Sequence, residues 1–238
     1  MAAGRASPTL PVRPLPKVPW ALPFIRARTN GISGLTMSMT WRNYWPTSIR
    51  TLSTTLRAIP LPGQPTQGYP GFQQLVEATK PHQVTLVPDS DDQLTSDHGW
   101  DLSQPQPALE EQIRTYGAMG CRVSLFMDPT PDHMAVARSL GAHRIEFYTG
   151  PYAETFWAQG AAGAQTQACF EEFCTAAKAA TEAGLGINAG HDLDQENLPL
   201  FATLPGLQEV SIGHAIMCEA LQAGYGPTIK RYVEILTP

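Results

Sequence analysis

Residues 122–149 read RVSLFMDPTPDHMAVARSLGAHRIEFYT. Arg122–Asp128 is a short run rich in β-branched and aromatic residues that stops at Asp-Pro. Arg144–Thr149 is a second run of the same kind, stopping before Gly-Pro. Between them, Pro131–Leu140 opens on a proline, which suits the first turn of a helix. Strand, helix and strand in this order form a βαβ unit. The pattern repeats on both sides. Val84–Pro88, Leu185–Ala189 and Glu209–Ile212 are further strands, and Pro107–Met119, Thr166–Ala183, Gln195–Thr203 and Thr228–Leu236 are further helices. Apolar strands alternating with amphipathic helices predict an α/β chain with a parallel sheet covered by helices. A doubly wound sheet is one solution, but no Gly-rich fingerprint follows a first strand. A (β/α)8 TIM barrel fits better, because polar residues collect at the strands' C-terminal ends, where such barrels keep their chemistry. Only five strands are visible, and a barrel needs eight.

The composition breaks near residue 68. Residues 1–68 hold ten of the 22 prolines, eight of the 16 Lys+Arg and none of the 21 Asp+Glu. Everything after that is acidic and holds all six histidines. The acidic tail argues against a nucleic-acid surface, and no run of 18 apolar residues predicts a membrane span. Cys121, Cys169, Cys174 and Cys218 match neither zinc nor redox spacing, so reduced thiols in a cytoplasmic protein are the expectation. With no HExxH and no Cys/His or carboxylate cluster, no metal is expected.

Several residues sit where a barrel would use them. His191, in Ile187-Asn188-Ala189-Gly190-His191-Asp192, lies just past a strand end, where an imidazole can exchange protons near neutral pH; a locally satisfied loop histidine is the equal alternative. Glu146 sits between apolar neighbours on its strand, so it is either paired or used. Tyr148-Thr149-Gly150-Pro151-Tyr152 reads as a turn-rich loop on the same face. Ser211-Ile212-Gly213-His214-Ala215 closes the last strand and opens a helix, a place suited to phosphate or simply a βα turn. Thr95 or Ser96, in Leu94–Asp101, donates to a substrate oxygen or caps the next helix. His82, His133 and His143 are read as structural.

Taken jointly, Lys80-Pro81-His82-Gln83 with Thr85–Pro88, then LTSDHGWD, VSLFMD, IEFYTGPYA, INAGHDL and SIGHAI, resemble the pyridoxine 5′-phosphate synthase family over about residues 69–238. The resemblance implies a (β/α)8 barrel that assembles as a homo-octamer. It also implies condensation of 1-deoxy-D-xylulose 5-phosphate with 3-amino-2-oxopropyl phosphate, releasing phosphate and water, without a cofactor. It carries His191 over as proton donor, Glu146 as transition-state stabiliser, and Thr95, Gly213 and His214 as substrate contacts. The residue after the histidine is glycine in some members and contacts substrate; here it is Asp192.

The family's first parts, including a Thr-Val-His-Pro-Arg segment and a strand bearing a glutamate, belong before residue 69, where this chain has no histidine and no acid. A transit peptide and a Pro-rich arm are two readings of the head, but Trp20, Trp41 and Trp45 suit neither. A third reading is a shifted frame. Trp20–Gly34 can be encoded so that translation from the third base gives Gly-Ile-Thr-Val-His-Pro-Arg-Pro-Asp-Glu-Arg-His-Ile-Arg. Leu52–Pro60 treated likewise gives Glu-Tyr-Asn-Ile-Glu-Gly-Tyr-Pro. Met39-Thr40 then forces an aspartate and Trp45-Pro46 an alanine, both suited to the helix expected between. The expectation is therefore a non-native, irregular segment over residues 1–66 and the C-terminal part of one barrel over 67–238. The frame recovers between about Pro60 and Gln67. Two strands are hidden in the shifted frame and one is expected upstream of Met1. Such a chain is expected to be catalytically impaired and unstable. The rivals are a non-catalytic barrel remnant with an N-terminal targeting arm, and another phosphate-binding barrel enzyme.

Overall fold

The five apolar runs form five neighbouring parallel strands: β4 (Gln83–Leu86), β5 (Arg122–Met127), β6 (Arg144–Phe147), β7 (Gly186–Gly190) and β8 (Leu207–Ile212). The computed structural model describes residues 24–28, 36–38, 55–58, 72–89 and 96–237, the first three segments as backbone only. Those segments are three short strands, β1 (Phe24–Arg28), β2 (Thr36–Ser38) and β3 (Thr55–Ala58), inside the stretch expected to be irregular.

Strand order separates the two sheet architectures left by the sequence. The order is β2-β1-β8-β7-β6-β5-β4-β3, so β3 to β8 lie side by side in chain order, all parallel. Right-handed crossovers that always step the same way place every connecting helix on one face. A doubly wound sheet needs a reversal of order, and β3–β8 have none. The sheet is nonetheless linear, with β2 and β3 at its two ends. In a barrel of eight parallel strands the first strand runs parallel to the last, but here β1 pairs with β8 antiparallel. A close antiparallel partner, β2, has taken the place of a βα crossover after β1.

The helices follow from local chemistry. Both α2 (Pro107–Ala118) and α3 (Pro131–Ser139) carry proline in the first turn, where its missing N–H costs nothing. The long α5 (Ala164–Glu182) buries Phe170, Phe173, Ala176, Ala177 and Ala180 on one stripe. Two helices were not foreseen: α1 (Phe72–Thr79) and α4 (Gly150–Gln159). The second corrects the loop expected at Tyr148–Tyr152, since Gly150-Pro151 starts a helix. The helix expected over Gln195–Thr203 shrinks to the single turn α6 (Leu198–Phe201). The Asp194 carboxylate accepts the backbone N–H groups of Glu196 (2.8 Å) and Asn197 (3.0 Å), and this Asx turn competes with helix. The chain ends in α7 (His214–Ala223) and α8 (Tyr225–Leu236).

The helix-facing side of the sheet is the core. Val84, Leu86, Val123, Leu125, Ile145, Phe147, Ile187 and Val210 are buried there. Tyr152, Phe170, Phe173 and Phe201 stack against them, with Tyr152 and Phe201 ring centroids 4.9 Å apart. Among the described residues no helix is long and apolar enough to cross a membrane.

Burial sets a pH limit. It pushes the phenols of Tyr152 and Tyr232 well above their ordinary value, and the thiols of Cys121, Cys169 and Cys174 upward as well. A raised folded pKa means the native state holds protons that the unfolded chain has already released. The associated stability is intact below the unfolded values, about 8.5 for Cys and about 10 for Tyr, and is lost as pH rises past them. Urea midpoints are expected to hold from pH 7 to 8 and to fall progressively above about pH 9.

Candidate active site

Strand alternation leaves the second sheet face polar. Gln83, Thr85, Ser124, Glu146, Asn188 and Glu209 are all buried, yet none belongs to the apolar cluster. Across neighbouring strands Phe126 pairs with Glu146, Glu146 with Asn188, and Asn188 with Glu209. Apart from Ser124, the polar side chains form a connected ladder through Arg122 and Arg144. Arg144 donates to the Asn188 Oδ1 at 2.6 Å and lies 3.5 Å from Glu209. Arg122 donates to Gln83 at 2.8 Å and reaches both Glu209 oxygens at 3.5 Å. Gln83 donates to Thr85 (3.3 Å), and Thr85 donates to Glu146 (3.4 Å).

The ladder also measures curvature. Arg122 on β5 and Glu209 on β8 are three strands apart, roughly 14 Å in a flat sheet at about 4.8 Å per strand. Their side chains meet because the sheet curls toward its polar face. The polar ladder lines the concave side of that curl.

The strand ends gather the residues singled out in the sequence. Glu146 is 2% exposed on β6, level with Asn188 of β7. His191 leaves β7 three residues further on, roughly 10 Å nearer the C-terminal rim at about 3.3 Å per residue. Gly190 pairs with Ser211, so His191 leaves its strand level with Ile212 and Gly213 follows one residue further on the adjacent strand. Gly213 caps α7, no side chain caps that helix, and His214 is its exposed first residue. The amides of an uncapped first turn can take an anion. His214 Nε2 lies 3.4 Å from the Cys218 Sγ one turn on. Asp192 follows His191 at the rim, its carbonyl accepting from the Asn197 side chain at 2.9 Å. Thr95 lies outside the described residues, whereas Ser96 donates to the Asp89 carboxylate at 2.5 Å.

His191 has a strained backbone, with φ at +44°, a region costly for a non-glycine residue. The segment around it is over-determined. The Thr149 hydroxyl donates to the Gly190 carbonyl and, at 3.3 Å, to that of His191, and the Leu193 N–H donates to the His191 carbonyl. Gly190 is required because a Cβ there would run into the Ser211 carbonyl oxygen. Gly190→Ala is expected to cost roughly 1–3 kcal/mol, the range for overpacking, and to lower the urea midpoint accordingly. His143, by contrast, packs structurally, its Nδ1 accepting the Val123 N–H at 3.2 Å.

The sequence reading missed the ladder and the ring neighbours of His191. Phe126 and Tyr148 each place a ring centroid 6.1 Å from the imidazole. The signal was the alternation itself: Arg122, Ser124 and Phe126, or Arg144, Glu146 and Tyr148, share one face of a strand.

The model of the family described as pyridoxal phosphate biosynthesis protein PdxJ matches residues 52–238. The chain belongs to this family. The match reaches upstream of the expected boundary at residue 67 and takes in β3. The pyridoxine 5′-phosphate synthase of Xanthomonas oryzae pv. oryzae (strain MAFF 311018) is 51% identical over 173 residues, covering 72% of this chain and 66% of that protein. The synthase of Xanthomonas axonopodis pv. citri (strain 306) is 51% identical over 177 residues, 74% of this chain and 68% of that protein. The synthase of Xylella fastidiosa (strain 9a5c) is 49% identical over 174 residues, 73% and 65% respectively. The chain thus matches about two thirds of the length of these PdxJ-family relatives.

Proposed function

We propose that this chain carries the C-terminal part of a pyridoxine 5′-phosphate synthase. The enzyme would join 3-amino-2-oxopropyl phosphate to 1-deoxy-D-xylulose 5-phosphate and release phosphate and water. The observation that carries the reading is the convergence of His191, Asp192, Gly213 and His214 on one rim of a curled parallel sheet, above buried Glu146. The chemistry is imine formation between the amine and the ketone, followed by proton transfers, two eliminations and ring closure. His191 serves a late proton transfer. Glu146 stabilises positive charge that develops deeper in the barrel. The α7 start, with Gly213 and His214, holds a phosphate. No step calls for a cofactor, and the protein works in the cytoplasm as a homo-octamer.

The rim also says what is missing. The described segments that follow β4–β8 at this end, residues 87–89, 96–106, 128–130, 148–149, 191–197 and 213, contain no Lys or Arg. They carry Asp89, Asp97, Asp101, Asp128, Asp192, Asp194 and Glu196. Two phosphorylated substrates need cations there. The peptide that Trp20–Gly34 can be encoded to give from the third base would supply three arginines and two histidines, and on this reading residues 1–66 are frameshifted. The chain as written is therefore impaired. The test is incubation of both substrates with the chain and with a version whose residues 20–60 are read in the other frame, detecting pyridoxine 5′-phosphate by mass. Turnover by the second and background from the first is the expected outcome. Equal turnover overturns the frameshift, and no turnover from either overturns the activity.

A further inference from the structure

We propose that Tyr148 is a positioning residue which, with Phe126, clamps the His191 imidazole in its strained place at the sheet rim, and that Gly150 is the clamp's seat. Its bearing on catalysis rests on the reading of His191 above; the geometry of the clamp does not.

Three adjacent strands supply the parts. Phe126 comes from β5, Tyr148 from the end of β6, and His191 from the end of β7. The three rings form a closed triangle. Phe126 and Tyr148 centroids are 5.6 Å apart, and each lies 6.1 Å from the imidazole in edge-on geometry. Edge-to-face contacts favour one ring orientation over its alternatives. The backbone of His191 needs such support, because its φ of +44° is one that a non-glycine residue leaves when released. Hydrogen bonds from Thr149 and Leu193 hold its main chain. The two aromatic rings act on its side chain.

Gly150 fixes where Tyr148 can lie. A Cβ at 150 would overlap the Tyr148 hydroxyl and its Cζ, and come within 2.7 Å of Cε2. The phenol is therefore folded over the bare Cα of the first residue of α4. Its hydroxyl faces a negative rim. Burial first, then Asp192, Glu154, Asp97 and Asp128, hold the phenol above its ordinary value.

The test uses side-chain NMR of the full chain labelled at histidine, which requires no substrate. The unmodified protein and Tyr148→Phe are expected to show one His191 imidazole orientation with a clear ring-current shift. Tyr148→Leu and Gly150→Ala are each expected to lower the ratio of that orientation to its alternatives roughly two- to tenfold, the equivalent of one aromatic contact. Gly150→Ala keeps every ring and only displaces one, so it reads the clamp even where Tyr148→Leu fails to fold. Unchanged His191 orientation and shift in Gly150→Ala overturn the proposal, as does a Tyr148→Phe protein that behaves like Tyr148→Leu. A lack of ring-forming activity in the version read in the other frame would count against the proposed function and leave this readout standing.

Discussion

A chain whose residues 20–34 and 52–60 are replaced by the peptides read from the third base is expected to form pyridoxine 5′-phosphate, at a rate at least about 10²–10⁴ above the chain as written. That factor is what one positioned proton-transfer group contributes, and the replacement restores a histidine, a glutamate and several arginines together. In the replaced chain, His191→Asn is expected to remove a similar factor from kcat, because the imidazole acts in the transition state rather than in binding. Arginines restored at the rim are expected to act mainly on KM for both phosphorylated substrates. Steady-state assays with each substrate varied in turn separate these effects. A replaced chain no more active than the original contradicts the assignment of the missing groups.

Glu209→Ala is expected to cost about 3–5 kcal/mol of stability, the range for breaking a buried ion pair by removing one partner. Glu209 is 2% exposed and faces two guanidiniums, Arg122 and Arg144, each 3.5 Å away. Removing it leaves both cations on the inner face without their shared counter-charge. Arg144 is 11% exposed and carries most of that cost, while Arg122, at 27%, can partly recover solvent. Glu209→Gln keeps an acceptor and is expected to lose less. Urea unfolding of the three proteins at pH 7.5 measures the differences. A Glu209→Ala protein as stable as the original would show that the ladder does not hold the curl.

The parallel sheet covered by helices was legible because strands and helices differ in period, and the runs at 122–127 and 144–147 show both periods within one βαβ unit. Strand ends were legible for the same reason, which is why His191 and Gly213 fell at the rim as expected. The ladder was not, because pairing Arg122 with Glu209 requires knowing that β5 and β8 curl toward each other. The helix at Gly150 was missed because Gly-Pro reads as a turn whenever the helix behind it is unknown. The helix expected over Gln195–Thr203 is shortened to α6 because Asp194 and Asn197 compete locally for backbone amides. The antiparallel β1 lies in the head, where the expected family pattern is not spelled in this frame.

The most direct test is the nucleotide sequence of the gene across codons 20–60. Translation from the third base of the Trp20 codon is expected to run without a stop through a Thr-Val-His-Pro-Arg segment and a Glu-bearing strand, before rejoining the present frame by about codon 67. A stop codon in that frame, or a peptide without that histidine, contradicts the account and makes the basic head a segment in its own right.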